Sequence, residues 1–421
     1  MTRTILMIAI PLIVVLALIL LLTAAPSEED AAVKVSPMSM RAAFPGGAEE
    51  DPNAVNYADA VGTFGVHIFK ILGGTAGENV FLSPLSIEFA LNMIVNGAGG
   101  ETREVMKKTL GLANVSDADI NAAVRALLEA DADSKIKIDI ANSLWHDKGV
   151  TLLDAFIKKN AAFAAEIRGL DFGADESVRV INEWIGGKTR GMIPTMLDRI
   201  AKDIVLFAVN AIYFNGEWAK AFDSKLNQEK PFTSDDGAKK NVTFMSHQGG
   251  EYRYHSAEDV SVVELAYGKG RYSMYIFLPK QGMKLVDFLS KLTWAGCKEL
   301  LAAMRRQPGN VSIPIFKTSY GTVDLIPALN RLGMGLAFSD RADLTGISNL
   351  KNLAIGQVLH KAVIEVNEKG TEAAAATVVG IRMTSALIGD PFSFTADRPF
   401  AYIIMDNASG TPVFMGKLEK P

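Results

Sequence analysis

The sequence predicts an α+β fold, with helices packed around large, mainly antiparallel or mixed sheets. Three observations carry this: helical periodicity comes first, strand patterns with helices between them follow, and no internal repeat is visible. Tyr57–Leu72 (YADAVGTFGVHIFKIL) places apolar residues at helical spacing and reads as an amphipathic first helix. Ile87–Asn96, Thr102–Leu110 and Ile120–Ala130 read the same way. Lys135–Leu144 alternates as KIKIDIANSL, the pattern of a half-buried strand. Ile204–Phe214 (IVLFAVNAIYF) is almost continuously apolar, as expected of a central strand covered on both faces. Val260–Ala266, Ser273–Leu278, Asn310–Phe316 and Gln357–Val366 are further strands, and Met283–Leu300 is helical.

The chain has 421 residues, 49% of them hydrophobic, which is ample for a sizeable core. Its net charge of −4 comes from nearly balanced acidic and basic residues, so no nucleic-acid partner is expected. The single cysteine, Cys297, excludes an intramolecular disulfide and reads as a small buried hydrophobe. At the N-terminus Ile5–Leu22 is almost wholly apolar, and about 18–20 such residues can span a bilayer as a helix. Thr23-Ala24-Ala25 offers small residues for signal cleavage, so residues 1–25 read as either a signal peptide or a membrane anchor. Arg3 on the inner side places the rest of the chain beyond the membrane, either secreted or tethered at the cell surface through residues 5–22. Residues 26–55, rich in Ala, Pro, Glu and Gly, read as a flexible linker, and residues 56–421 as the folded domain.

Motifs of enzymatic chemistry do not emerge. There is no GxSxG elbow and no HExxH helix. Gly187-Lys188-Thr189 matches the end of a phosphate-binding loop, but Asn182 stands where that loop needs its first glycine. His67, His146, His247, His255 and His360 are scattered without metal-ligand spacing, so neither metal nor cofactor is expected.

The informative segment is Val363–Ile381, VIEVNEKGTEAAAATVVGI. Taken alone, Glu372–Ala376 reads as a short helix as well as anything else, because alanine is the best helix former. The flanks favour extended chain: a strand pattern precedes, Gly370 interrupts, and the β-branched Thr377, Val378 and Val379 follow. As a strand, the segment would put Thr371, Ala373, Ala375, Thr377, Val379 and Ile381 on one face. All are small or β-branched and uncharged, so that face can enter a sheet without burying a charge.

This segment, Gly370-Thr371-Glu372-Ala373-Ala374-Ala375-Ala376-Thr377, resembles the hinge of inhibitory serpins. Other stretches resemble that family in order along the chain. They are Asn79–Ser86 (NVFLSPLS), Asn182-Glu-Trp184 with Thr189, Gly191 and Ile193, Asn210 with Phe214–Trp218, His360–Ala362, Asp397–Phe400 and Phe414–Lys417. The resemblance implies the serpin fold, with helices around three β-sheets and an exposed reactive-centre loop. It also implies a monomeric inhibitor of serine-type proteases rather than an enzyme. Family spacing from Gly370 places the bait bond at Thr384–Ser385, which implies elastase-like or subtilisin-like targets. Cleavage after Arg382, favouring trypsin-like targets, or after Met383 stays open. The resemblance further implies a polar shutter of Ser83, Ser86, Asn210 and His360 beneath the main sheet, and Trp218 at the breach where the hinge first inserts. Lys369 departs from the family, which usually has an acidic residue there, and 386–395 is longer than typical. A non-inhibitory serpin (carrier, chaperone or structural protein) is the alternative, and a hydrolase using Ser83 or Ser86 a distant third.

Overall fold

In the computed structural model, described over residues 57–128, 135–163, 165–371 and 391–421, fifteen strands form two sheets and nine α-helices cover them. The chain opens with α1 (Tyr57–Gly73), β1 (Val80–Leu82), α2 (Pro84–Val95), α3 (Gly100–Thr109) and α4 (Asp117–Leu128). Next come β2 (Ile136–Asp147), α5 (Asp154–Asn160), β3 (Glu166–Leu170), α6 (Asp175–Lys188) and β4 (Leu206–Glu217). A run of strands follows: β5 (Gln228–Thr233), β6 (Lys239–Ser256), β7 (Val260–Tyr267) and β8 (Tyr272–Pro279). Then come α7 (Leu285–Lys291), α8 (Trp294–Ala303), β9 (Arg305–Pro314), β10 (Phe316–Asp324) and α9 (Ile326–Arg331). The last strands are β11 (Gln357–Asn367), β12 (Gly370–Thr371), β13 (Phe392–Thr395), β14 (Phe400–Asp406) and β15 (Thr411–Leu418).

The six-stranded sheet has the order β10-β11-β12-β4-β2-β3. Its centre is unusual. β11 and β4 pair directly and in parallel, Gln357–Val363 against Phe207–Tyr213, along most of their length. Only at one end does β12 slip between them, antiparallel to both. The nine-stranded sheet runs β1-β15-β14-β8-β7-β6-β9-β13, with β5 also on β6. The 18-residue β6 is bulged between His247 and Gly250 and is shared by two parts of this network. The three sheets implied by the resemblance are therefore met as one sheet of six and one network of nine that turns at β6.

Burial explains the patterns. The inner positions of β4 and β11, including Ala208, Ile212, Phe214, Val358, Ala362 and Ile364, join the main core under the sheet. The outer positions, Phe207, Val209, Ala211, Leu359 and Val363, pack with Ile181 and Ile185 of α6. With both faces covered, β4 has no polar side, hence its continuous apolar run. In α6, Asn182 receives the backbone N–H groups of Met196 and Leu197 (2.8 and 3.0 Å) and ties the loop after the helix to it.

Two expectations change, and two strands were not foreseen. Met283–Leu300 is two helices, because the chain bends at Leu292 and Thr293 caps α8, accepting from Gly296 N–H at 3.0 Å. Asn310–Phe316 straddles Ile315, where the chain leaves the nine-stranded network for the six-stranded sheet. β5 and β6 carry charged side chains at sheet-edge positions and showed no apolar alternation. The signal or anchor at residues 1–25 and the linker at 26–55 lie outside the described residues. Among the described residues no helix is long and apolar enough to cross a membrane.

Candidate functional site

The parallel seam between β4 and β11 is polar at one point. Asn210 of β4 stands in register with His360 of β11 on one side and with Asn142 of β2 on the other. All three are buried. Ser83 caps α2, with Pro84 pre-setting its first turn; its hydroxyl receives Ser86 N–H at 3.1 Å and donates to Val413 C=O at 2.7 Å. That cap brings Ser86 under the seam.

Asn210 uses its whole amide. Its Nδ2 donates to Ser86 Oγ and, at 2.6 Å, to Asn142 Oδ1. Its Oδ1 lies 2.6 Å from His360 Nδ1. An amide oxygen only accepts, so Nδ1 carries the imidazole proton and Nε2 keeps a lone pair. Nε2 has no partner among the described residues, and burial pushes the His360 pKa down to about 3. The histidine is neutral, and one helix and three strands are fastened through one asparagine.

The second cluster sits at the end of the seam, where β12 begins. Gly370 and Thr371 pair with Glu217 and Gly216 of β4 and with Asn367 and Val366 of β11. Gly370 has φ +154°, and a Cβ there would stand 2.0 Å from Gly216 O, so the chain can turn into the sheet at this position only as glycine. Thr371 is fully buried, points inward, and its hydroxyl lies 2.8 Å from Tyr267 Oη. Trp218 stacks on Tyr267 (ring centroids 4.3 Å apart) and donates its indole N–H to Asn367 C=O at 2.9 Å. Its backbone N–H reaches Lys369 C=O at 2.9 Å.

Of the residues singled out from sequence, Ser83, Ser86, Asn210 and His360 meet in one cluster, and Trp218, Gly370 and Thr371 in the other. Glu372, Ala373, Ala374, Ala375, Ala376, Thr377, Arg382, Met383, Thr384 and Ser385 lie outside the described residues. Asn142, Tyr267 and His247 were missed. Asn142 left a signal: it interrupts the inward series Ile136, Ile138, Ile140, Leu144 of β2. Tyr267 and His247 left none: Tyr267 meets Thr371 from far along the chain, and His247 meets the irregular strip at Ala221 and, across a bulge of its own strand, Tyr252. The hydroxyl of Ser83 is committed to Val413, and both serines are wholly buried, so neither is presented as a nucleophile.

These features define a class of protein: a sheet whose central strands hold a polar clasp and have already accepted the first residues of a following loop. The chain belongs to the serpin family, whose model, described as Serpin (serine protease inhibitor), matches residues 59–421. It is similar to an uncharacterised serpin-like protein of Thermococcus kodakarensis, at 35% identity over 86% of this chain and 85% of that one. It is also similar to a leukocyte elastase inhibitor of Sus scrofa, at 34% identity over 85% of this chain and 97% of that one. Among solved structures, the thermophilic serpin tengpin in its native state matches with a TM-score of 0.80 and 31% identity, covering 89% of this chain and 96% of that one.

Proposed function

We propose that the chain inhibits serine-type proteases by offering its loop as bait and then inserting the cut loop into the six-stranded sheet. The observation that supports this most is the register of β12. Thr371 is opposite Gly216 and Val366, facing inward. Continuing that register residue by residue brings Ala373 opposite Phe214 and Ile364, Ala375 opposite Ile212 and Ala362, and Thr377 opposite Asn210 and His360. Every inward position from Thr371 to Ile381 is small or β-branched and uncharged, and from Ala373 to Val379 the strand positions facing it belong to the buried core or the polar clasp.

The proposed sequence of events uses the target's own chemistry. Its serine Oγ forms a bond to the Thr384 carbonyl carbon, the Thr384–Ser385 peptide bond breaks, and Ser385 leaves as a free amine. The freed strand then parts β4 from β11, carrying the acyl-enzyme along before water can hydrolyse it. Thr384 suits elastase-like or subtilisin-like pockets; cleavage after Arg382 instead would suit trypsin-like ones. The similarity to an elastase inhibitor agrees with the first class. The apolar run at residues 5–22 supports action outside the cytoplasm, secreted or held at a membrane.

The test is to mix the protein with elastase, subtilisin and trypsin, look for an SDS-resistant complex, and map the cut by mass spectrometry. A complex and a new N-terminus at Ser385 are expected. Rapid cleavage with no complex, and no gain in thermal stability of the cut protein, would refute inhibition and leave a carrier, chaperone or structural role.

A further inference from the structure

We propose that His247 is a positioning residue for the hinge: it fastens the strip that holds the turn before Gly370, and so governs how readily the sheet opens above the seam. Its consequence for loop insertion rests on the function proposed above; the tie itself rests on geometry alone.

His247 lies on β6, in the other sheet, and is only 6% exposed. Its ring stacks on Phe222 with centroids 3.8 Å apart and planes 5° from parallel. Nε2 is 3.0 Å from Ala221 C=O, and Nδ1 is 2.6 Å from Tyr252 Oη. A carbonyl only accepts, so Nε2 carries the proton; Nδ1 then presents a lone pair to the Tyr252 hydroxyl. One neutral tautomer satisfies both contacts, and burial, which pushes the pKa down to about 4, keeps the ring neutral.

What this ring holds is the strip Trp218–Phe222. From that strip the turn 367–369 hangs by three bonds. Trp218 N–H donates to Lys369 C=O, the Trp218 indole to Asn367 C=O, and Phe222 N–H to Glu368 C=O at 2.8 Å. Two hydrogen bonds tie the strip to the neighbouring sheet, Ala219 N–H to Ala266 C=O at 2.8 Å and Ala221 C=O to His247, beside the stacks of Trp218 on Tyr267 and Phe222 on His247. The second anchor is the one next to Phe222. Beside it lies a cleft of about 170 Å³ lined by Trp218, Phe222, His247 and Tyr252, so the strip has room to swing once that anchor is cut. A strip that swings loosens the turn, which then keeps, among the described residues, only the Asn227 Nδ2 bond to Glu368 Oε1 (2.6 Å) from outside the strip, and with it the two residues of β12 that keep β4 and β11 apart at their end.

The experiment compares full-length wild type with His247→Leu, His247→Gln and Tyr252→Phe. Two rates are read: amide hydrogen exchange at Trp218 and Phe222, and annealing of a synthetic peptide of residues 371–384 into the uncleaved protein. His247→Leu should raise both about tenfold, which is about 1.4 kcal/mol, the upper range for one neutral hydrogen bond. Glutamine can donate to Ala221 C=O as the ring does, so His247→Gln should stay within about twofold of wild type. Tyr252→Phe removes only the hydroxyl that fixes the tautomer and should raise both rates about threefold. Wild-type rates in His247→Leu would overturn the proposal. So would a His247→Gln variant as fast as His247→Leu, since stacking rather than the donor would then hold the strip. Faster exchange with unchanged annealing would likewise overturn it. If wild type traps no protease while both rates still respond to His247→Leu, the inhibitory reading fails and the positioning role stands.

Discussion

Under the proposed trapping mechanism, replacing Ala375 by arginine should turn an inhibitor into a substrate, whereas the same residue at position 372 should not. In the register set by β12, Ala375 enters between Ile212 and Ala362, both inward-facing and fully buried. Neither strand offers a counter-charge there. An unpaired guanidinium in such a place costs several kcal/mol, roughly 4. If about half of that is felt when the strand is part-way in, insertion slows by about 30-fold. Insertion competes with hydrolysis of the acyl-enzyme, so tens of inhibitor molecules would be consumed per protease trapped. In the proposed inserted strand, position 372 would face outward, opposite Asn215 and Glu365, both half-buried, and Glu365 already reaches Lys317 at 3.0 Å. An arginine there can keep its head in water. The assay is a titration of elastase or subtilisin with each variant, read as residual activity and as SDS-resistant complex. An Ala375→Arg variant that traps protease like wild type would refute the insertion register; equal damage by Glu372→Arg would refute the two-faced strand. Thr371 is a poorer site for this test, because it is already seated between the strands before any cleavage.

Three further outcomes follow from buried groups. The His360 pKa in the folded state, about 3, lies below its ordinary 6.5, so the unfolded chain takes up a proton first. Stability is therefore full above about pH 6.5 and falls by about 2–3 kcal/mol towards pH 4.5. His247, at about 4, acts in the same direction. Urea midpoints at pH 7 and pH 4.5 should show the fall, and His360→Gln should reduce it; an unchanged pH dependence would count against a neutral buried imidazole. Lys417, fully buried, donates to Thr75 C=O at 2.6 Å and pairs with buried Glu419 at 2.9 Å. Lys417→Met should cost about 3–5 kcal/mol in denaturant unfolding by stranding that carboxylate, and a loss under about 1 would contradict the pairing. Burial pushes the Cys297 thiol up to about 12, so it should resist thiol reagents at pH 8 until the protein unfolds; prompt labelling of the native protein would disprove this.

The alternating KIKIDIANSL and the unbroken IVLFAVNAIYF were legible as strands because each pattern records which faces are covered: one for the half-buried part of β2, two for β4 beneath α6. The breaks at Thr293 and Ile315 were not, because apolar residues continue through both while the chain changes direction for tertiary reasons. β5 and the start of β6 were illegible for the opposite reason, their charged edge positions hiding any periodicity. At the site, the pair 83 and 86 is far in sequence from 210 and from 360, and only the family resemblance joined them. The uncharged face that Thr371 to Ile381 would share as a strand was read from the spacing of small residues, without the resemblance, and beyond Thr371 it lies outside the described residues. His247 could not have been paired with Tyr252 and Ala221 from sequence, since the contacts depend on a bulge in β6 and an irregular strip beside it.

The placing of the polar clasp follows from what the seam must do in the proposed mechanism. A purely apolar junction between β4 and β11 would close equally well but would give no directional bond to hold the pair in register. The Asn210–His360 bond supplies one, while His360 Nε2 and Asn142 Nδ2 have no partner among the described residues. Each such buried group costs about 1–3 kcal/mol. The closed seam is thus fastened and under-satisfied at the same point. In the proposed inserted state the residue arriving between Asn210 and His360 is Thr377, whose hydroxyl can both accept and donate. It can replace the bond that its arrival breaks, and an alanine or valine there could not. In that mechanism the small residues of the hinge would make insertion sterically possible, and the threonine within them would keep the clasp's polar groups partnered after the strands have parted.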